Sequence, residues 1–333
     1  MNITVIMPMY NARRFLPQVL PPLLSALGRG EIFEFIVVDD GSTDGSAELL
    51  RTHESIRLLA TPVQGGPGAA RNLGVQHAQG DIVWFVDSDI ILAEDCARIL
   101  AQSFADESVC AVMGSYDDSP AAENFLSQYK NLIHHYYHQQ GASEASTFWA
   151  GCGAIRKAAF LAVGGFDAAR YRYPSIEDIE LGYRLRAAGH RIVLNKNLRC
   201  KHLKEWRLAN LLHTEIFRRA VPWSTLMLQR KSLTNDLNVS TRERVLAMLA
   251  GVTALVSVAA LTGLLAKPAA ALAFFILLAA NGRMIAFFTR AKGLVFALRA
   301  FAFHQFYYLY SSASFAWAWL KHHLGPKQDI AGA

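Results

Sequence analysis

The amino-acid sequence predicts an α/β protein with a mixed, mainly parallel sheet covered by helices on both faces, followed by a C-terminal α-helical membrane region. Three observations carry this reading. Short apolar runs alternate with helical patterns through residues 3–194, with short connections, which calls for parallel strands joined by crossover helices. Several of these runs end in aspartates, at the position where open α/β sheets place a ligand crevice. Hydrophobic residues make up 52% of the chain and the mean hydropathy is +0.18, an excess that concentrates after Arg244.

Residues 3–7 read as the first strand, broken at Pro8, and the turn Met9-Tyr10-Asn11-Ala12 leads into a helix over 13–27. Residues 34–38 form a second buried strand that ends in Asp39-Asp40-Gly41-Ser42-Thr43-Asp44. A helix over 46–52, a strand over 56–60, a glycine-rich loop over 64–68 and a helix over 69–78 bearing Arg71 follow. Residues 82–86 are apolar throughout, as in a strand buried on both faces. This strand delivers Asp87 and Asp89 to its carboxyl end, with Ser88 between them. Two such carboxylates repel each other and are costly to desolvate without a cation, and hard oxygen ligands suit Mg²⁺ or Mn²⁺.

Further on, a helix is expected over 93–105, a strand over 109–114 and an aromatic-rich amphipathic segment over 121–140 lying across the sheet edge. Residues 148–155 predict a glycine-kinked strand. Its Trp149 and Gly151-Cys152-Gly153 would suit an acceptor site, where backbone must approach a ligand closely, or a packed sheet edge. Glu177-Asp178 opens a helix that runs to 188 and stops at Gly189, and residues 191–194 form the last strand. The crossovers should be right-handed.

The tail differs in kind. Residues 245–266 are apolar and uncharged, about the length that spans a bilayer. After Lys267-Pro268 a second span is expected over 269–289, with Arg283 toward its far end. Residues 294–320 are apolar again but hold Arg299, His304 and Gln305 and many Tyr and Trp, as in a spanning or interfacial helix. The expected domains are 1–240, catalytic, and 241–325, membrane-associated. Arg242 and Arg244 before the first span, and Arg283, Arg290 and Lys292 after the second, place the N-terminal domain on the cytoplasmic side of the inner membrane. A crossing by 294–320 would put Lys321, His322, His323 and Lys327 on the opposite side, which favours the interfacial form.

Lys and Arg number 33 against 27 Asp and Glu, a formal charge of +6, and the basic residues crowd 184–244. Beside apolar spans such a belt suits anionic lipid headgroups, so no nucleic-acid partner is assigned. The four cysteines show neither metal-ligand spacing nor a disulfide framework, which implies a reducing compartment. The first residues read directly as a strand, so no cleaved signal peptide is expected. No feature assigns an oligomeric state.

Five motifs now stand in order: Pro8-Met9-Tyr10-Asn11, Val37-Val38-Asp39-Asp40-Gly41-Ser42-Thr43-Asp44, Ala70-Arg71-Asn72-Leu73-Gly74, Asp87-Ser88-Asp89 and Glu177-Asp178. With these the chain resembles the family 2 glycosyltransferases of GT-A (Rossmann-like) fold over roughly residues 3–223, and among them bacterial members with membrane helices after the catalytic domain. The resemblance implies roles. Pro8, Tyr10 and Asn11 would shape the base pocket of a nucleotide sugar, with Tyr10 against the base. Asp39 would accept a hydrogen bond from the base, typically uracil, with Asp44 in the same loop. Arg71 would face the nucleotide. Asp87, with Ser88 beside it, would contact the ribose or sugar, and Asp89 would bind the metal that bridges the diphosphate. His202 would add a metal or diphosphate contact. Asp178 would be the general base, with Glu177 beside it. The Gln-x-x-Arg-Trp motif of processive polymerases is missing, which disfavours a polysaccharide synthase.

Two of these roles, Asp178 as base and Asp89 as metal ligand, also suit the chemistry of inverting glycosyl transfer, which needs a base for the acceptor hydroxyl and charge neutralisation for the departing diphosphate. Each residue also has an ordinary reading: Asp87-Ser88-Asp89 as a solvated turn, Tyr10 as packing, Arg71 in a surface ion pair, Glu177 and Asp178 as first-turn acids, His202 as a solvated side chain. The expected function is transfer from a nucleotide sugar, a UDP-sugar first, to a hydroxyl of a membrane-lipid-linked or cell-envelope acceptor. The alternatives are a polyprenyl-phosphate glycosyl synthase, a non-catalytic membrane scaffold or sugar-nucleotide sensor, and a nucleotidyltransferase.

Overall fold

In the computed structural model, which describes residues 1–231 and 233–324, the apolar runs form β1 (Ile3–Met9), β2 (Glu34–Asp39) and β3 (Arg57–Ala60). Helices α1 (Leu16–Gly28), α2 (Ser46–Leu50) and α3 (Gly66–His77) lie between and after them. The chain continues through β4 (Ile82–Val86), β5 (Ile90–Leu92), α4 (Cys96–Ser103), β6 (Val109–Tyr116), α5 (Phe125–Gln140) and β7 (Glu144–Ala145). Then come β8 (Cys152–Arg156), α6 (Lys157–Ala162), α7 (Glu177–Ala187) and β9 (Arg191–His202).

These strands form one sheet in the order β3-β2-β1-β4-β8-β6-β9-β5, with β7 on β9. β3, β2, β1 and β4 run parallel, as does the β6–β9 pair, whereas β8 is antiparallel to both its neighbours. The fold is thus a mixed α/β sheet carrying helices. Val5, Met7, Trp84 and Val86 are fully buried in the main core with Leu16, Val19 and Leu23 of α1. On α3, Gly74 lets the helix settle against the sheet, since a methyl group there would meet Ile6 and Val38.

β1 does not break at Pro8. The carbonyls of Ile3 and Met9 accept N–H bonds from Phe33 and Asp40, on the β2 side, so by alternation Pro8 faces the β4 side. Pairing with β4 has ended there, at Ile6↔Phe85, and the missing donor breaks no ladder bond. β9 runs on to His202 instead of stopping at 194, because its second half pairs with the end of β6 and with β5. β8 begins only at Cys152. Residues 147–150 pass over α7, where Gly182 allows the approach: a Cβ there would lie 2.4 Å from the Phe148 backbone nitrogen. Gly182→Ala should therefore cost about 1–3 kcal/mol, checked by denaturant unfolding, because rigid backbone must move.

The chain divides into two units at Arg207/Leu208, earlier than the expected boundary after residue 240. The second unit opens with α8 (Leu208–His213), a π-helical run (Thr214–Ala220) and α9 (Val221–Gln229). It continues with α10 (Thr241–Leu261), α11 (Lys267–Ala280), α12 (Gly282–Lys292) and α13 (Leu294–Leu324). Ser240 caps α10 by accepting the Glu243 N–H. Among the described residues α10 is the one single helix long and apolar enough to cross a membrane. Val245, Met248, Val252, Leu255, Val258 and Leu261 form an exposed apolar stripe along it.

The second expected span is not one straight helix: α11 and α12 meet at 64°. The break falls at buried Asn281, whose side-chain amide turns back to the Leu277 carbonyl at 2.9 Å, next to Gly282. α13 is unbroken over 31 residues, and Lys327 lies outside the described residues.

Candidate active site

The parallel half of the sheet brings its acidic strand ends to one edge. Asp39 ends β2 and Asp87 follows β4, and β1 lies between these two strands, so the two aspartates sit about 10 Å apart along that edge. Asp87 donates its backbone N–H to the Gly151 carbonyl (3.1 Å), which ties the β4 tip to the loop before β8.

Beneath this junction lies Arg71, only 4% exposed. Its guanidinium bonds Asp87 at 2.6 Å and Glu177 at 3.2 Å and rests over the Phe166 ring. Glu177 is buried, and its second oxygen accepts the Ser175 N–H at 2.8 Å. Asp178 stands at the start of α7, where it accepts N–H bonds from Ala150 (3.1 Å) and Ile179 (2.8 Å). One buried cation thus holds the β4 tip and the head of α7 together. Burial and two ion pairs commit the Arg71 guanidinium to Asp87 and Glu177.

Burial, with Glu177 beside it, pushes the Asp178 carboxyl up to about 7, against the pull of Arg71 and the two N–H bonds. Burial also pushes Asp87 up, opposed by Arg71. Asp89 goes the other way. Burial would raise it, but His202 and then Lys204 hold it below its ordinary range. His202 comes from the end of β9, level with Ile90, and its Nε2 lies 3.3 Å from the Asp89 carboxylate. The neighbouring Leu203 N–H donates to the Asp89 carbonyl at 2.8 Å.

At the β1 and β2 ends Tyr10 is exposed, and Pro8 is buried within β1. Asn11 takes a left-handed backbone (φ 51°), and its side-chain oxygen accepts the Thr43 N–H at 2.8 Å. Asp39 accepts the Ser42 N–H at 3.1 Å. Asp44 is bound to neighbouring backbone and to Ser46. Its oxygens accept the Arg13 and Ser46 N–H groups and the Ser46 hydroxyl, and these bonds lower its pKa although burial would raise it. It ties the turn after β1, which carries Asn11, to the loop after β2, which follows Asp39.

Of the expected acceptor residues, Trp149 is partly exposed, whereas Gly151, Cys152 and Gly153 are buried. Cys152 belongs to the core, and Gly153 is required because a Cβ would lie 2.3 Å from the Trp149 carbonyl. Ser88 is half-buried between the two aspartates. One acid beyond those expected matters: Asp40 accepts the Gly65 and Gly66 N–H groups at 2.9 and 2.8 Å and fixes the loop before α3. The doubled Asp39-Asp40 was its only sequence signal.

Among the described residues no three His, Cys, Asp or Glu side chains converge as a metal cage. Asp89 and His202 nonetheless fit a shared ion: their 3.3 Å separation is close to the ~3.0 Å between neighbouring ligands of an ion with bonds about 2.1 Å long. A carboxylate and an imidazole suit Mn²⁺ and accept Mg²⁺, with positions left for phosphate oxygens and water.

A mixed sheet whose parallel strands end in these carboxylates defines a GT-A type glycosyltransferase domain. The sequence agrees, since residues 4–164 match the model of glycosyl transferase family 2. An uncharacterized glycosyltransferase of Haemophilus influenzae is 43% identical over 98 residues, 28% of this chain, and the chain spans only 38% of that relative's length. Two solved structures share the fold. The mannosyltransferase PcManGT of Pyrobaculum calidifontis, in complex with GDP-Man and Mn²⁺, aligns over 95% of this chain and 87% of its own with a TM-score of 0.56 and 22% identity. S. aureus TarS 1–349, in complex with UDP-GlcNAc, aligns over 92% of each chain with a TM-score of 0.54 and 18% identity.

Proposed function

We propose that this chain is a membrane-anchored inverting glycosyltransferase that moves a sugar from a nucleoside-diphosphate sugar, a UDP-sugar in the first instance, to an acceptor hydroxyl. The observation that carries the reading is Asp178: a carboxyl held near neutrality by burial, bonded to the loop beside Trp149, and next to Glu177, which Arg71 ties to the β4 tip. A base with a pKa near the working pH is the one best able to take a hydroxyl proton.

Asp178 accepts the acceptor proton as the new bond forms to the anomeric carbon, and the bond to the diphosphate breaks on the opposite face. The Ala150 and Ile179 N–H groups orient the carboxylate for this step. Tyr10, Asn11 and Asp39 receive the base, and Asp87 and Ser88 the ribose and sugar side. Asp89 and His202 would hold Mn²⁺ or Mg²⁺, and the ion would supply charge neutralisation on the departing diphosphate. Trp149 offers a flat apolar face to the acceptor.

The apolar stripe of α10 supports anchoring in the inner membrane, and the charges flanking the spans support a cytoplasmic catalytic domain. A lipid-linked or cell-envelope acceptor fits that placement. GDP-Man and UDP-GlcNAc in the two structural neighbours support a nucleotide-sugar donor, and Mn²⁺ in the first supports a divalent ion.

The test is ligand-linked thermal stability. At about a hundredfold excess over Kd, a cognate UDP-sugar with Mn²⁺ should stabilise the chain by ~2.7 kcal/mol, a rise of several degrees in Tm. Asp89→Ala should abolish the Mn²⁺-dependent part of that rise. An unchanged rise with Mn²⁺ in the variant would remove Asp89 from the metal site.

A further inference from the structure

His202 closes the metal pair, yet it sits at the end of a strand, where an imidazole is free to turn unless something sets its plane. Its Nε2 faces Asp89 at 3.3 Å, and the side chain is 10% exposed. The ring lies against Tyr116, with centroids 4.8 Å apart and planes within 10°. Tyr116 also touches His134 at 4.2 Å, and Trp149 meets it edge-on at 4.9 Å and 87°.

Tyr116 is itself firmly placed. β8 leaves β6 after the pair Met113↔Gly153, so the last residues of β6 lose that partner strand. Imidazoles from α5 replace it. His138 Nδ1–H donates to the Gly114 carbonyl at 2.9 Å, and His135 Nδ1–H to the Tyr116 carbonyl at 2.7 Å. On the other side Tyr116 pairs with Cys200 of β9, two residues before His202, and the Asp117 N–H donates to the Cys200 carbonyl at 2.8 Å. Gly114 permits this closeness, since a Cβ there would lie 2.3 Å from the Leu198 carbonyl. The histidine-rich face of α5 thus serves to hold one aromatic ring in place.

We propose that Tyr116 is a positioning residue for the metal pair: its ring fixes the plane of the His202 imidazole so that Nε2 stays aimed at the ion shared with Asp89. The proposal rests on the reading of Asp89 and His202 as metal ligands. Groups that orient a ligating histidine without touching the metal are worth about 10–100-fold in affinity. The stacking face of the ring is what matters here, so the hydroxyl is dispensable for this role.

The experiment measures Mn²⁺ binding to the full-length chain with UDP present, from the EPR signal of Mn²⁺, alongside thermal melting. Tyr116→Phe should bind Mn²⁺ within about threefold of wild type, and Tyr116→Leu about 10–100-fold more weakly, while still melting cooperatively. Should Leu disturb folding, Tyr116→Met, whose unbranched side chain adapts better to the gap, also removes the flat ring and should show the same loss. His202→Ala sets the scale. Wild-type Mn²⁺ affinity in the Leu and Met variants, with affinity lost in His202→Ala, overturns the proposal and leaves the metal pair standing. Wild-type affinity in His202→Ala overturns the metal pair, and Tyr116 with it.

Discussion

Asp178→Asn should bind a nucleotide sugar as wild type does and lose transfer by about 10²–10⁴-fold, the span over which a positioned general base acts. The amide keeps the size of the carboxyl and the bond from Ala150, so donor affinity should not move. The pH profile separates this from a general loss of structure. Because the carboxyl sits at about 7, wild-type kcat/KM should climb about tenfold per pH unit below that value and level off above it. The variant's residual rate should be flat across the same range.

Stability should respond in the opposite sense. Asp178 is raised from 3.8 to about 7 on folding, so the folded chain holds a proton that the unfolded chain has released. Its contribution is fully present below about pH 4 and is lost as pH rises to about 7. The difference in Tm between Asp178→Asn and wild type should therefore shift in the variant's favour from pH 5 to pH 8. A mild kinetic effect with a retained pH profile would favour a phosphate acceptor, as in a polyprenyl-phosphate glycosyl synthase, which hardly needs a base.

Arg71→Leu should cost about 3–5 kcal/mol at pH 8, the typical penalty for removing one partner of a buried ion pair. Arg71 offsets the mutual repulsion of Asp87, Glu177 and Asp178, and leucine leaves these carboxylates without their cation. For a domain of this size the loss corresponds to roughly 10 °C in Tm. Acid should relieve it. Asp87 and Asp178 are already pushed upward, and without the guanidinium both move further in that direction, so the deficit should shrink as pH falls toward 5. Arg71→Lys, which keeps the charge and loses the fork, should fall between. An Arg71→Leu protein as stable as wild type at pH 8 would mean that the network does not hold β4 to α7.

Much of this arrangement is legible in the sequence, and the exceptions have physical causes. β1, β2 and β4 announce themselves because strands buried on both faces are apolar at every position, and the aspartates that end them stand out against that background. The far half of β9 is hidden because Asn195-Lys196-Asn197 interrupts its pattern where the strand bulges against β6. In the sequence His202 therefore stands out by motif alone, and its pairing with Asp89 appears only once the sheet is formed. The roles of Arg71 and Asp44 could not be read locally, because their partners lie on other elements: Glu177 for the first and the Arg13 backbone for the second. The break between α11 and α12 did carry a signal. Asn281-Gly282 is a turn dipeptide inside what otherwise reads as a second span. Tyr116 had none, since one tyrosine after a buried strand reads as packing.

The most direct test incubates the full-length protein with Mn²⁺ and a panel of nucleotide sugars, with water as the default acceptor, and identifies the phosphorus product. The expected result is slow release of a nucleoside diphosphate from the cognate donor, dependent on Mn²⁺ and lost in Asp89→Ala. Release of pyrophosphate would identify a nucleotidyltransferase, and an inert protein across donors that it binds would identify a sensor or scaffold; either result contradicts the account.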